Sequence, residues 1–419
     1  MKSDVQLKES SDKAGLAEDV AEPQRSPRFL WLIRGDEGYG FRKANLGLIQ
    51  QLRERSVDIG FVAIRPGVFA EEVAAAGYPL WYLERFEGDK EITKRGWRFL
   101  LGSLRLFSSA FVNRHALREA IRSFQPDWLH VSINGLLVMC GLGARWWKVP
   151  GYWHIHNTIS SKLPFEMQAL GYQALCRMLR VNPIANSRHT ADSLGGSLCP
   201  AGVCYPGSDE DVYSLEAEFK KVSYIDLDVN PTLPSFLIAA RMVPEKAQDR
   251  LVEAAIELYE AGKKFSLILV GGPLDSRYAK RVQARVLNAK VDHLIKVLGS
   301  VKDTRPYIEF ADVVINSRVD AEPFGLSVVE AMLMERPVLA FELGGPSETV
   351  LDGETGWLID TPSVEGYRKG LIRVLEDRES WNSMGKAARR VASQRFSLQA
   401  TTESYLDIVG AKVPSTLGA

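Results

Sequence analysis

Short apolar runs alternate with amphipathic stretches along most of the chain. Residues 29–33 (Phe-Leu-Trp-Leu-Ile) form one such run and end at Gly35, as a strand buried on both faces should. A helical pattern follows over residues 40–55, then a second apolar run at 57–64. Further strands are expected at 79–83, 128–132 and 152–156, with helices at 69–76 and over a long region, 94–124. From 216 to 230 the chain turns polar, and Pro231 and Pro234 punctuate it. The alternation then restarts. Strands are expected at 235–240, 265–270, 293–298, 311–316 and 337–341, with helices at 249–261, 276–287, 304–310 and 326–336.

Strands alternating with helices predict parallel sheets covered on both faces. Two such halves predict an α/β protein of two doubly wound, Rossmann-like domains. The expected division is a disordered leader (1–27), a first domain (28–212), a linker (213–234), a second domain (235–393), a terminal helix (394–411) and a tail (412–419). Ligands of such sheets bind at the carboxyl ends of the strands, so halves facing one another place the site in the cleft between them.

Composition narrows the function classes. With 419 residues, 46% of them hydrophobic, the chain can bury sizeable cores and is not disordered as a whole. Lys+Arg and Asp+Glu are equal at 52 each, which gives no global attraction for a polyanion and argues against a nucleic-acid partner. Four cysteines make no disulfide framework, and the Cys199/Cys204 spacing is not that of a zinc or redox site. The first 27 residues lack an apolar signal-peptide core, and no run of about 18 uncharged apolar residues occurs. A cytoplasmic protein is expected, with a peripheral position on the inner face of the membrane as a further expectation.

That further expectation comes from uneven charge. Between Lys94 and His189 thirteen Lys/Arg face three acids, Glu119, Asp127 and Glu166. Within Lys94–Arg122, Trp97, Leu100, Leu101, Leu104, Phe107 and Phe111 recur at helical spacing, while Phe99 and Leu106 fall opposite. The pattern fits a helix resting on an anionic membrane surface and equally an ordinary buried helix.

Three features of the second half carry chemistry. Arg241 and Lys246 lie in the loop between strand 235–240 and a helix that Gln248 and Asp249 can cap; two such cations beside a helix start suit a diphosphate, although a solvated loop has the same spacing. Glu322-Pro-Phe-Gly-Leu-Ser-Val-Val-Glu330 follows the strand ending near Asn316. The amides of Phe324, Gly325 and Leu326 would point from a helix start toward a ligand, and Glu330 stands on an otherwise apolar segment where an unpaired charge is costly. Glycine turns at 271–272, 299 and 344–345 are weak signals alone. In the first half, His154 and His156 end the strand at 152–156, and His154 is as readily a packed histidine as a functional one.

Together these residues resemble the donor domain of retaining GT-B glycosyltransferases of family four. The matching pattern is the pair Glu322 and Glu330, then Arg241 with Lys246, Gly271-Gly272, Leu298-Gly299-x-Val301, Gly344-Gly345-Pro346 and Gly353-Glu-Thr-Gly356. The resemblance implies a GT-B fold of two facing domains, with the first on the acceptor side and the terminal helix crossing back to it. It implies a nucleotide-sugar donor whose diphosphate is bound by Arg241 and Lys246 and whose ribose hydroxyls are taken by Glu330. Glu322, beside the Phe324, Gly325 and Leu326 amides, would contact the transferred sugar. Val301 would border the nucleobase, Gly272 of the Gly-Gly turn would belong to the donor site, and His156 with Asn157 would contact sugar or phosphate. The family's Gly-Gly-x-Glu loop is replaced here by Gly35-Asp-Glu-Gly38-Tyr-Gly40, where Gly38 and Gly40 can still bring amides to a donor phosphate or the acceptor.

No Asp-x-Asp or comparable carboxylate pair stands out, so neither metal nor cofactor is expected. The activity implied is retaining transfer of a hexose to a hydroxyl of a saccharide or lipid-linked saccharide, in polysaccharide biosynthesis. The alternatives are a catalytically inactive GT-B binding or scaffold protein, or a sugar-nucleotide epimerase.

Overall fold

The computed structural model describes residues 25–84, 86–87, 97–159, 167–195 and 200–411. Most of the expected leader, the tail and Cys199 lie outside these residues, as do Lys94 and the side chains of Trp97, Phe99 and Leu100. Two parallel sheets are built. The first comprises β1 (Arg28–Ile33), β2 (Asp58–Ala63), β3 (Leu80–Tyr82), β4 (Trp128–Val131), β5 (Gly151–Ile155), β6 (Val181–Ala185) and β7 (Gly202–Val203), in the order β3-β2-β1-β4-β5-β6-β7. The second comprises β8 (Ser235–Ala239), β9 (Ser266–Val270), β10 (Ile295–Gly299), β11 (Val313–Ile315), β12 (Val338–Phe341) and β13 (Gly356–Ile359), in the order β10-β9-β8-β11-β12-β13.

The strands are apolar at almost every position because each faces two cores. In β1, Phe29, Trp31 and Ile33 pack into one hydrophobic cluster and Leu30 and Leu32 into another. In β8, Phe236 and Ile238 enter one cluster while Leu237 enters the opposite one. Strand order reverses between β1 and β4 in the first sheet and between β8 and β11 in the second. Those turning points open a crevice at the carboxyl ends of the strands.

The expected long helix at 94–124 is two helices, Trp97–Val112 and Arg114–Phe124. Asn113 separates them; it is buried and its side chain bonds the backbone of Glu84 and Ser109, which turns the chain. Helices Leu137–Trp147, Met167–Leu179, Val364–Glu376 and Trp381–Phe396, with strands β6, β7 and β13, were not anticipated from the pattern.

The helix Leu398–Val409 returns to the first domain. Its Tyr405, Leu406 and Val409 join the cluster of Phe29 and Trp31. A Cβ at Gly47 would lie 2.6 Å from Leu398, so glycine lets this helix lie close against helix Tyr39–Glu54. Ser208 and Leu398 pair their backbones at the crossing, with Leu398 N donating to Ser208 O at 3.2 Å.

Candidate functional site

The second domain's site starts at its turning point. Lys246 follows β8 and Glu322 follows β11, the two strands that flank the reversal. Lys246 Nζ and Glu322 Oε2 form an ion pair, and Arg318 Nη1 donates to Glu322 Oε1 at 3.2 Å. Arg318 is held in turn by Asp320. The short turn Pro244–Lys246 is fixed from below, where Ser317 Oγ donates to the Lys246 carbonyl at 2.5 Å. Lys246 is engaged by Glu322, while Arg241 is exposed and its guanidinium has no ion-pair partner among the described residues.

The expected capping of the next helix by Gln248 and Asp249 is corrected. Helix Gln248–Glu260 is preceded by Ala247 in the left-handed conformation with no side-chain cap. Gln248 is instead buried inside the first turn and donates from Nε2 to the Arg241 carbonyl at 2.8 Å, which shapes the cation loop itself.

Glycines fix the rest of the loop. Gly325 precedes helix Leu326–Leu333 with φ +95°, a conformation L side chains resist. The first amides of this helix have no intrahelical acceptor. The Gly344-Gly345 turn packs on residues 322–324: Gly345 N donates to Glu322 O at 2.7 Å, and a Cβ at Gly345 would collide with the Phe324 backbone. Phe324 is buried against Tyr205 and Phe396, with ring centroids at 5.8 Å and 5.6 Å. Its side chain anchors the loop, leaving only its backbone for a ligand. Gly272 has a packing reason too, since a Cβ there would collide with Ser300 Oγ. Val301 packs at the edge of the core beneath this turn.

Glu330 lies just over one turn into helix Leu326–Leu333 and is buried. Its Oε1 is 2.5 Å from Nζ of Lys43, which projects from helix Tyr39–Glu54 of the first domain. Lys43 also donates to Tyr213 Oη and sits 4.5 Å from that ring's centroid. Burial opposes the Lys43 charge, yet Glu330, and Tyr213 after it, hold its pKa above the usual lysine range. Burial pushes the Glu330 carboxyl up, with Lys43 and Tyr213 partly opposing. Neither Lys43 nor Tyr213 emerged from the sequence. They stand 287 and 117 residues before Glu330, and no local pattern marks them.

A second bridge joins the domains. Glu348, on the short helix Pro346–Thr349, accepts from the backbone N–H groups of Arg188 (2.9 Å) and His189 (2.8 Å) and from Tyr205 Oη (2.9 Å). It therefore caps helix Arg188–Ser193 from across the cleft. Ser187 Oγ donates to the Pro323 carbonyl at 2.6 Å. Burial, then Glu348, pushes the Tyr205 hydroxyl pKa up to about 12.

In the first domain, the loop after β1 is ordered by Glu37, which accepts from the N–H groups of Arg34 (2.5 Å) and Gly35 (2.8 Å). Gly35 needs its positive φ and lies against the Arg65 carbonyl, whereas a side chain at Gly38 or Gly40 would enter open space. His156 is half-buried, 5.5 Å from the Phe41 ring and 4.3 Å from His154. His154 is fully inside the core. Burial pushes the pKa of His154 down to about 4 and those of His156 and His130 well below the usual range. His156 is thus a neutral ring at the edge of the cleft. Among the described residues no group of three or more His, Cys, Asp or Glu side chains is placed to hold a metal ion.

Comparison with known proteins fits this geometry. Residues 225–391 match the family model of glycosyl transferases group 1. The matched segment spans most of the second domain. A D-inositol 3-phosphate glycosyltransferase of Gordonia bronchialis is 30% identical over 240 residues, 53% of this chain and 50% of that protein. A GDP-mannose-dependent monoacylated alpha-(1-6)-phosphatidylinositol monomannoside mannosyltransferase of Corynebacterium glutamicum is 27% identical over 323 residues, 70% of this chain and 79% of that protein. The chain spans about half the length of the first of these group 1 relatives. Anabaena HepE, solved in complex with UDP, superposes with a TM-score of 0.73 at 20% identity, covering 92% of this chain and all of that one. A glycosyltransferase from Rickettsia africae gives 0.76 at 17% identity with the same coverage. These likenesses establish the GT-B fold: two Rossmann-like domains facing one another.

Proposed function

We propose that the chain is a glycosyltransferase that moves a sugar from a nucleoside diphosphate sugar to a hydroxyl of a saccharide or lipid-linked saccharide, with retention of anomeric configuration and without a divalent metal. The observation that carries the reading is the convergence of Lys246 and Glu322 at the turning point of the second sheet, with the buried Glu330 just over one turn into the helix that follows. In this reading Glu330 takes the ribose hydroxyls, Glu322 the transferred sugar, and Lys246 with Arg241 the diphosphate, while Val301 borders the base and Gly272 belongs to the donor site.

Breaking the sugar–phosphate bond leaves negative charge on the departing diphosphate. Lys246 and the amides from Phe324 to Leu326 are fixed donors for that charge, with the exposed Arg241 able to close on it. The departing phosphate accepts the acceptor hydroxyl's proton on the same face, so no carboxylate nucleophile is required. The neutral imidazole of His156, beside the Gly38–Gly40 loop, then bonds a sugar hydroxyl or phosphate.

The acceptor side carries a basic, apolar face. On helix Trp97–Val112, Leu106 and Ala110 are buried, whereas Leu101, Leu104, Phe107 and Phe111 are exposed. The stripe therefore faces outward, with Arg105, His115, Arg118 and Trp146 exposed on or near it. Two relatives bear names with phosphoinositol acceptors. An anionic membrane surface carrying the acceptor suits this face, although no helix among the described residues is long and apolar enough to cross a membrane. The scaffold and epimerase alternatives are not favoured by the retained donor constellation.

The test is incubation with a panel of nucleoside diphosphate sugars in the presence of chelator, reading nucleotide release and thermal shift. Stabilisation by at least one donor, with turnover that survives chelation, is expected. No shift and no release across the panel would overturn the reading.

A further inference from the structure

Glu330 sits on a helix whose neighbours Val328, Val329, Ala331 and Met332 are all buried. A carboxylate in such surroundings needs a partner in every state of the protein, because an uncompensated buried charge is strongly destabilising. Here the partner is the Lys43 ammonium, 2.5 Å from Oε1 and delivered from the other domain. A ribose hydroxyl would have to reach the same carboxylate at about 2.5–3.0 Å. With Lys43 in place the Glu330 side chain is only 9% exposed, so ammonium and ribose compete for one narrow opening.

From this exclusion we propose that Lys43 fills the ribose subsite of the donor-free protein as an exchangeable counter-ion, and that an incoming nucleotide displaces it from Glu330. The inference rests on the reading of Glu330 as the ribose carboxylate. It adds a coupling that the reading alone lacks. Without nucleotide the lysine ties the two domains at this point; with nucleotide bound, the nucleotide does so instead. The displaced ammonium has somewhere to go. A cavity of about 350 Å³ between the domains is lined by Lys43 itself, Asp209, Tyr213, Asp303 and Arg305, and the Asp209 carboxylate, which accepts from the backbone N–H groups of Asp211 and Val212, offers an alternative resting place. Asp303 is already paired with Arg305, and against burial Arg305, then Lys43, hold its pKa down.

The experiment uses the full chain and the best-binding nucleotide among uridine, guanosine and adenosine diphosphates, with affinities measured by calorimetry. Lys43→Met keeps the stem and removes the charge. It is expected to bind the nucleotide about 3- to 10-fold tighter, because the competing closed form is no longer populated. Its nucleotide-free form should also show a larger radius of gyration in solution scattering. Unchanged or weaker affinity overturns the proposal, as does a scattering profile identical to wild type. Glu330→Gln, measured alongside, separates the two layers. If it binds nucleotide like wild type, the ribose reading beneath fails; if it loses binding while Lys43→Met is unchanged, only the exchange fails.

Discussion

Lys246 and Glu322 are ion-paired across 76 residues of sequence, and they arise from the two strands at which the second sheet reverses its order. The cation assigned to the diphosphate and the carboxylate assigned to the sugar thus neutralise each other in the absence of donor. Lys246→Ala is expected to lower transfer on the order of 10²- to 10³-fold, the usual loss on removing one preorganised donor to a developing oxyanion. The fold should survive, because Glu322 retains Arg318 at 3.2 Å. Initial rates beside a thermal melt decide it, and near-wild-type turnover in a folded variant removes Lys246 from the diphosphate site.

The alternation of elements was legible because parallel strands are buried on both faces. Phe29–Ile33 and the run opening the second domain are apolar residue by residue, and no other local structure explains such runs between helical patterns. The loops carrying Lys246 and Glu322 were legible because they follow those strands. The partners were not. Lys43 looks like any solvated lysine on an amphipathic helix, and Glu348 like any acid in a first helical turn; only the closing of one domain on the other gives them work. The apolar stripe of helix Trp97–Val112 had two equal readings from spacing alone, and only packing shows that Leu106 is buried while Leu104 and Phe111 are exposed.

Glu348 replaces, from the second domain, three partners that helix Arg188–Ser193 and Tyr205 would otherwise take from water. Glu348→Ala should cost about 1–2 kcal/mol, the scale of a lost cap together with a charge-assisted hydrogen bond. A lowered melting temperature is the readout. The Tyr205 hydroxyl should also titrate closer to its ordinary value, visible as an ultraviolet difference spectrum at high pH. A melt and a tyrosine titration unchanged from wild type would show that the bridge contributes nothing.

Two glycines should respond oppositely to alanine. At Gly345 the new methyl would collide with the Phe324 backbone and push the loop of Glu322 out of place. Misplacing a catalytic group by about 1 Å loses on the order of 10² in rate, so Gly345→Ala should retain nucleotide binding poorly and transfer worse. At Gly40, inside helix Tyr39–Glu54, the methyl meets open space. Gly40→Ala should therefore raise stability by up to about 1 kcal/mol through helix propensity. If the donor or acceptor approaches this backbone, KM rises in the same variant; an unchanged KM removes Gly40 from the contact surface.

The buried imidazoles give the protein a defined acid sensitivity. His154 has a folded pKa of about 4, and His130 and His156 are likewise depressed by burial. Above about pH 6.5 these rings are neutral whether the chain is folded or not, and they contribute no pH dependence. Below it the unfolded chain takes up protons that the folded core refuses, so stability falls as pH drops, by about 1.4 kcal/mol per pH unit for each ring. For His154 the loss continues until its folded pKa is reached. His130 shares hydrogen bonds with Tyr405 Oη (2.7 Å) and Ser132 Oγ (3.0 Å), whereas His154 has only a weak interaction with the Cys204 backbone, so replacing it breaks no full hydrogen bond. His154→Leu should accordingly flatten the slope of unfolding free energy against pH between 7.5 and 5 by about a third, whatever its absolute stability. Carboxylates, the raised Glu330 among them, are common to variant and wild type, so the difference between their urea midpoints at pH 7.5, 6.25 and 5 isolates the histidine contribution. A slope equal to that of wild type would mean that His154 is protonated in the folded protein at mildly acidic pH, and that the ring is better solvated than its place among His130, His156 and Tyr405 implies.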